Sequence, residues 1–179
     1  MVTIFEMQEA AGGMLRWGIP SYRLPDKQLD EEIRSIVELG VDIRYNMKLG
    51  RDFTIESLKR DGFTAVFIGL GAQKATNIGV PGEDLPGVTS GLDFLARIAR
   101  GEKPGLGDRV LVIGGGNTAM DAARSALRLG AKDVTVAYRR TRTEMPAQEV
   151  EIEEALEEGV NIQYLTAPVS IKAAGSLLQ

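Results

Sequence analysis

The feature that most constrains this chain is a glycine pattern in a fixed setting. Gly114-x-Gly116-x-x-Ala119 directly follows the apolar run Val110-Leu111-Val112-Ile113 and opens a helix, predicted from about Thr118 to Leu129, that closes at Gly130. A chain that turns from strand to helix in so few residues needs glycine at the tight turn. A second glycine lets the backbone approach a pyrophosphate, and a small third residue lets helix and strand lie close together. The start of such a helix presents N–H groups with no helical acceptor and the positive end of the helix dipole. The pattern therefore predicts a dinucleotide seat formed by Gly114, Gly115, Gly116, Asn117 and Thr118. The competing reading is a glycine turn that binds nothing.

The residues beyond the turn continue the same architecture. Val134 to Tyr138 is a predicted strand, Ala147 to Glu158 a helix and Val160 to Leu165 a further strand. Alternation of strand and helix is the signature of a parallel α/β sheet. About 20 residues after the glycines, the end of the second strand commonly reads the adenosine ribose, and an acid there favours a free 2′-hydroxyl. Here the strand ends in Tyr138 and is followed by Arg139, Arg140 and Arg142. Guanidinium groups suit a 2′-phosphate, which favours NADP. The alternative partner for these arginines is the acidic helix carrying Glu149, Glu151, Glu153, Glu154, Glu157 and Glu158.

The first half is less sharply patterned. Val2-Thr3-Ile4-Phe5-Glu6 is strand-like from residue 2 onward, as if the chain begins partway through a fold, and Gly12-Gly13 marks a turn. Asp26 is a candidate N-cap for a helix with Leu29, Ile33, Ile36 and Val37 on one face, closed by Gly40. A strand over 41–45, a short helix over 54–60 and a buried strand over Ala65-Val66-Phe67-Ile68 follow. Residues 77–91 are dense in Gly and Pro and are expected to cross between domains. Ser90 then caps a helix to Arg100, with Asp93 as its partner, and 101–108 form a linker. The expected division is 1–87, a partial FAD-binding domain; 88–108, a crossing helix and linker; and 109–179, a Rossmann-like NADP-binding domain incomplete at its C-terminus. Glu6, an acid at a strand end, suits an unphosphorylated ribose such as that of FAD, although on its own it reads equally as a surface glutamate.

Composition removes several other chemistries. The chain has no Cys and no His, so it offers no thiolate nucleophile, cysteine-held cluster, imidazole base or histidine-ligated metal. Its net charge of −4 gives no electrostatic reason to expect nucleic acid or an anionic membrane as partner. No apolar run is long enough to span a bilayer and no secretory signal pattern opens the sequence, so the expected location is cytoplasmic. None of Tyr22, Tyr45, Tyr138 and Tyr164 has a Lys four residues on, which argues against a stand-alone short-chain dehydrogenase.

Several segments together resemble the small (beta) subunit of NADPH-dependent glutamate synthase and related FAD/NADPH oxidoreductases, including the flavin-containing part of dihydropyrimidine dehydrogenase. They are Phe5-Glu6, Gly12-Gly13-Met14-Leu15-Arg16-Trp17-Gly18-Ile19-Pro20 and Tyr22-Arg23-Leu24-Pro25, then Gly69-Leu70-Gly71-Ala72 and Val80-Pro81-Gly82-Glu83-Asp84. Ile113 to Asp121 and Tyr138-Arg139-Arg140 with Glu144-Met145-Pro146-Ala147 complete the series. The match runs in one order over nearly the whole chain.

The resemblance implies an α/β fold of the two-dinucleotide-binding flavoprotein type, a parallel-sheet Rossmann-like NADP-binding unit joined to part of an FAD-binding unit. It implies an oxidoreductase module that passes hydride from NADPH to FAD and electrons to an iron–sulfur domain or subunit. By position, Glu6, Gly13, Met14, Arg23 and Leu49 would approach FAD. Gly115, Gly116, Asn117 and Thr118 would cradle the NADPH pyrophosphate, and Arg139 and Arg140 its 2′-phosphate. No side chain is needed as acid or base, because hydride transfer depends on alignment. The family's first strand and FAD glycine loop, expected before Glu6, and its cysteine-rich iron–sulfur domain are not in the sequence, so the chain looks like a central piece of the module. The expectation is NADP in this chain and FAD in the complete module, with a homo-oligomer formed through the open edge of the first strand. A non-catalytic fragment that binds NADP at most is the alternative.

Overall fold

The computed structural model describes residues 1–174 and 177–178. The chain divides into two compact units, one of Met1–Arg16 with Ser21–Gln73, the other of Trp17–Pro20 with Lys74–Gln179.

The second unit is built on three parallel strands, β3 (Arg109–Ile113), β4 (Asp133–Ala137) and β5 (Asn161–Gln163), in the order β3-β4-β5. Helix α5 (Asn117–Arg128) joins the first two and α6 (Glu149–Glu157) the last two. Parallel neighbours need such crossovers, and the alternating pattern in the sequence supplies them. The register pairs Ile113 with Ala137 and Ala137 with Gln163, so all three strands end together at one edge.

The core under this sheet is made largely of small residues. Ala119, Ala122, Ala123 and Ala126 form the buried face of α5, which brings the helix close to Val134 and Val136 of β4. Ile152 and Ala155 of α6, and Phe94 and Leu95 of α4 (Gly91–Ala99), join the same cluster. Met120, Ile152, Val134 and Val136 are its largest fully buried side chains, each contributing roughly 1.5–3 kcal/mol by leaving water. Ser90 caps α4 as expected, its hydroxyl accepting from the Asp93 N–H at 3.0 Å. Apolar β3 is covered on one face only: Val110 and Val112 pack on the cluster, while Leu111 is 60% exposed.

Charge also ties α5 to α6. Arg124, buried on α5, bonds to Glu158 at 2.8 and 2.9 Å and to Glu154 at 2.6 Å, with Glu151 at 3.3 Å, and Arg128 reaches the same Glu158 carboxylate. Glu151 is itself buried. A cation placed there is tolerable because carboxylates surround it, and removing one partner leaves charge stranded. These arginines, together with Arg142, take up much of the acidic face of α6.

In the first unit β1 (Val2–Phe5) pairs in parallel with β2 (Val41–Arg44), joined by α2 (Asp26–Glu38), with the one-turn α1 (Met14–Trp17) before it and α3 (Ile55–Arg60) after. Phe5 packs against Phe53 in a tilted pair and against Phe63 edge-to-face, at centroid distances of 4.6 and 5.7 Å, with the Arg44 guanidinium over its ring. Thr54 caps α3 through a reciprocal bond with Ser57.

Two expectations fail here. Asp26 is the first helical residue and not the N-cap: that position belongs to Pro25, whose extended backbone leads into the helix, and the Asp26 carboxylate lies 3.7 Å from Arg16. The buried strand over 65–68 is absent. Those residues form no regular element and pair with no described strand, and Phe67 is 95% exposed. An apolar run becomes a strand only where a neighbouring edge accepts its N–H and C=O groups. In the second unit the structure adds an antiparallel pair that the sequence reading did not anticipate, β6 (Ala173–Ala174) with β7 (Leu177–Leu178).

Candidate dinucleotide site

The glycine turn sits where the three parallel strands end. Gly114 continues the ladder by donating its N–H to the Ala137 carbonyl at 3.1 Å, then turns with φ +142°, a conformation that favours glycine. A Cβ at Gly114 would stand 3.5 Å from that of Ala119, the close strand–helix approach that the small third residue allows.

Gly115 is required for a different reason. A Cβ there would lie 2.5 and 2.6 Å from ring carbons of Tyr138, which is buried beneath the turn and donates its hydroxyl to the Glu144 carbonyl at 2.7 Å. At Gly116 the chain itself imposes no such demand: the nearest neighbour of a Cβ would be Pro146 Cγ, at 3.9 Å. Gly116 is the N-cap of α5 and its carbonyl accepts from Ala119 and Met120. Among the described residues no acceptor meets the N–H groups of Gly115, Gly116, Asn117 and Thr118. Four consecutive free donors at the positive end of a 12-residue helix are the arrangement that anion binding calls for.

A clip holds this turn. The Gly115 carbonyl accepts from Ala147 N–H at 3.1 Å, and Asn117 Oδ1 accepts from Gln148 N–H at 2.9 Å. Gln148 is the N-cap of α6, so the Asn117 side chain joins the starts of the two helices.

The arginine loop stands at the same edge, one strand over. Arg142 is engaged with Glu149 and Glu153, and the Glu149 carboxylate raises its already high pKa. The loop turns through a 3₁₀ segment, Arg142–Glu144, closed by Thr141 and Glu144 bonding each other reciprocally. Bonds from the Thr141 N–H and hydroxyl, with the Arg140 charge nearby, hold the Glu144 carboxyl below its usual range. Arg139 and Arg140 are exposed and form no ion pair among the described residues.

The other candidates lie in the first unit. Glu6 follows β1, and its carboxylate accepts the Gln8 N–H at 2.7 Å, leaving further acceptor capacity. Gly13 turns with φ +51°, Met14 starts α1, Arg23 is half-buried before α2, and Leu49 forms an isolated bridge with Phe53. The turn at 11–16 is tied by Arg16, which donates to the Ala11 carbonyl at 2.6 Å and pairs with Asp30. The helix that follows β1 and the Gly12-Gly13 turn, α1, is a single turn of four residues, against the 12 residues of α5.

Tyr138, Ala147 and Gln148 support the turn, yet they were not among the sequence candidates. Tyr138 carried a signal as the aromatic residue closing the second strand, whereas a backbone bond at Ala147 leaves no trace in residue type.

Comparisons with known proteins give the family and the fold. The family model described as Pyridine nucleotide-disulphide oxidoreductase matches residues 6–179. The chain is 48% identical over 175 residues to the NADP(+)-dependent formate dehydrogenase subunit beta of Moorella thermoacetica, covering 96% of this chain and 25% of that one. It is 38% identical to the glutamate synthase [NADPH] small chain of Halomonas elongata, covering 94% of this chain and 38% of the relative. The solved structure of Mycobacterium tuberculosis FprA in complex with NADPH superposes with a TM-score of 0.82 at 21% identity, over 97% of this chain and 54% of the other, a likeness of fold.

Proposed function

Because the chain belongs to the pyridine nucleotide-disulphide oxidoreductase family, we propose that its second unit binds NADPH and aligns the nicotinamide for hydride transfer to a flavin held by the complete protein. The observation that carries this reading is the pairing of two groups at one sheet edge: four free N–H donors at 115–118 and two exposed guanidiniums, Arg139 and Arg140, that form no ion pair among the described residues. The donors suit a pyrophosphate and the guanidiniums a 2′-phosphate. That no described residue demands glycine at 116 supports a close ligand approach there.

In the first unit Glu6 suits a ribose hydroxyl of FAD, with Gly13, Met14, Arg23 and Leu49 along the cofactor. Bound FAD would supply the two-electron acceptor. Helix α1, after the Gly12-Gly13 turn, is a single turn long, so the described residues of this unit offer a ribose acceptor without a phosphate seat of the α5 kind, which favours the second reading, NADPH binding without turnover, for residues 1–179 by themselves. The chain spans about a quarter of the formate dehydrogenase subunit, and in the longer protein an iron–sulfur domain or partner subunit would take the electrons onward. Residues 1–87 would belong to the FAD half and 109–179 to the NADP half, with 88–108 between them.

Titration with NADPH should shift the amide signals of 114–119. Changing Arg139 and Arg140 together to Ala should weaken NADPH and leave NADH nearly untouched, since charge-assisted bonds to a phosphate contribute about 1.5–3 kcal/mol each. Equal loss of both nucleotides, or shifts confined to other residues, would sink the NADPH reading. The purified chain should show no flavin absorbance; one flavin per chain with NADPH-driven dye reduction would restore a complete enzyme.

A further inference from the structure

Leu165 stands in a conformation its side chain resists. Its φ is +55°, and the one other non-glycine residue with positive φ among those described is Asn46, a residue type that visits this region readily. Three bonds hold the backbone there. Leu165 N–H donates to the Arg140 carbonyl at 3.1 Å, Thr166 N–H donates to the Tyr138 carbonyl at 3.0 Å, and the Thr166 hydroxyl donates to the Tyr164 carbonyl at 3.0 Å. The side chain so placed is 74% exposed. Leu165 thus combines a disfavoured backbone with an apolar side chain in water, and neither stabilises the fold. Strain of this kind persists where surrounding structure imposes it, and it gathers at binding sites.

The same bonds fix its location. Leu165 lies just past β5, at the edge where β3 ends in the glycine turn and β4 in the arginine loop, and its backbone is bonded directly to residues 138 and 140. Ligands of open parallel sheets bind outside this edge. An adenosine 2′-phosphate reaching Arg139 and Arg140 brings its purine ring to the same loop, and a flat apolar base is the part of that ligand that gains from an exposed leucine.

We propose that Leu165 is an apolar support for the adenine base, a binding residue that sets affinity for the adenosine end of the nucleotide. This rests on the NADPH reading above.

The test compares the 179-residue chain with Leu165→Gly and Leu165→Asn. Both substitutions accept positive φ, so the loop keeps its shape while the apolar surface is lost. Calorimetric titration with 2′,5′-ADP probes the adenosine end. Inorganic pyrophosphate, followed at the amides of 115–118, probes the glycine turn alone. The expected result is 2′,5′-ADP binding weakened roughly tenfold in both variants, as loss of a covered leucine implies. Pyrophosphate binding should be unchanged and thermal stability equal or higher. An unchanged 2′,5′-ADP affinity, or equal weakening of both probes, overturns the proposal and leaves the NADPH reading standing. A wild-type chain that binds neither probe overturns that reading and this proposal with it.

Discussion

Gly115→Ala offers the sharpest test of how the glycine turn is built. The new methyl would meet the Tyr138 ring at 2.5 and 2.6 Å, where ordinary carbon contacts are 3.4–4 Å, so ring or turn must move by close to an ångström. The ring is not free to swing, because its hydroxyl is bonded to the Glu144 carbonyl and its own backbone is bonded to Gln163 and Thr166. Overpacking of this kind costs about 1–3 kcal/mol, and surrender of the tyrosine hydrogen bond adds about 0.5–1.5 kcal/mol. The expected destabilisation is therefore about 2–4 kcal/mol, a large share of the roughly 5–15 kcal/mol typical of a folded protein. In thermal unfolding that corresponds to a fall of roughly 4–16 °C for a chain of this size. The decisive comparison is a double-mutant cycle with Tyr138→Ala, which removes the obstructing ring. In that background Gly115→Ala should cost less than about 1 kcal/mol, because its φ is not positive and alanine fits the backbone. An equal cost in both backgrounds would refute the account, since the penalty would then come from something other than the ring.

Two further outcomes follow from bonds around the site. Asn117→Ala should lower stability by about 0.5–1.5 kcal/mol by depriving Gln148 N–H of its acceptor; Asn117→Asp should keep the clip and the stability but weaken NADPH, because it sets a negative charge beside the anion seat, as paired melting and titration would show. The Glu158 carboxyl is held below its ordinary value of 4.5, first by the Arg128 hydrogen bond and then by Arg124. A depressed folded value means that stability is fully present above the unfolded pKa and is lost as pH falls through the folded one. Glu158→Gln should accordingly lower the melting temperature at neutral pH and flatten its decline below about pH 4.5.

The parallel α/β order of the second unit was legible because its signals are local: an apolar strand, glycines, a helix closed by Gly130. Arg139 and Arg140 were legible by position, but which arginines the acidic helix would claim was not. That depended on Arg124 and Arg128, which α5 carries to the glutamates across more than 20 residues of sequence. The strand expected at 65–68 shows the opposite failure. Its composition is right, but a strand is a relation between two segments, and no described segment lies alongside. Leu165 could not be singled out at all, since a positive φ imposed by bonds from Arg140 and Tyr138 leaves no mark on the residue that bears it.

The contrast between the arginines of α5 and those of the loop also separates two responses to ionic strength. Arg124 and Glu151 are buried, while Glu154 and Glu158 keep 44% and 25% of their side chains exposed, so added salt loosens the helix pair less than it screens a pair of surface charges. Arg139 and Arg140 stand in solvent, where the Debye length is about 8 Å at physiological salt and about 3 Å at 1 M. Screening would act on the attraction of these two guanidiniums for a polyanion, while the buried Arg124–Glu151 contact is sheltered from it. If the second unit binds NADPH as proposed, a salt series on this chain would weaken nucleotide capture at lower ionic strength than it loosens the α5–α6 contact.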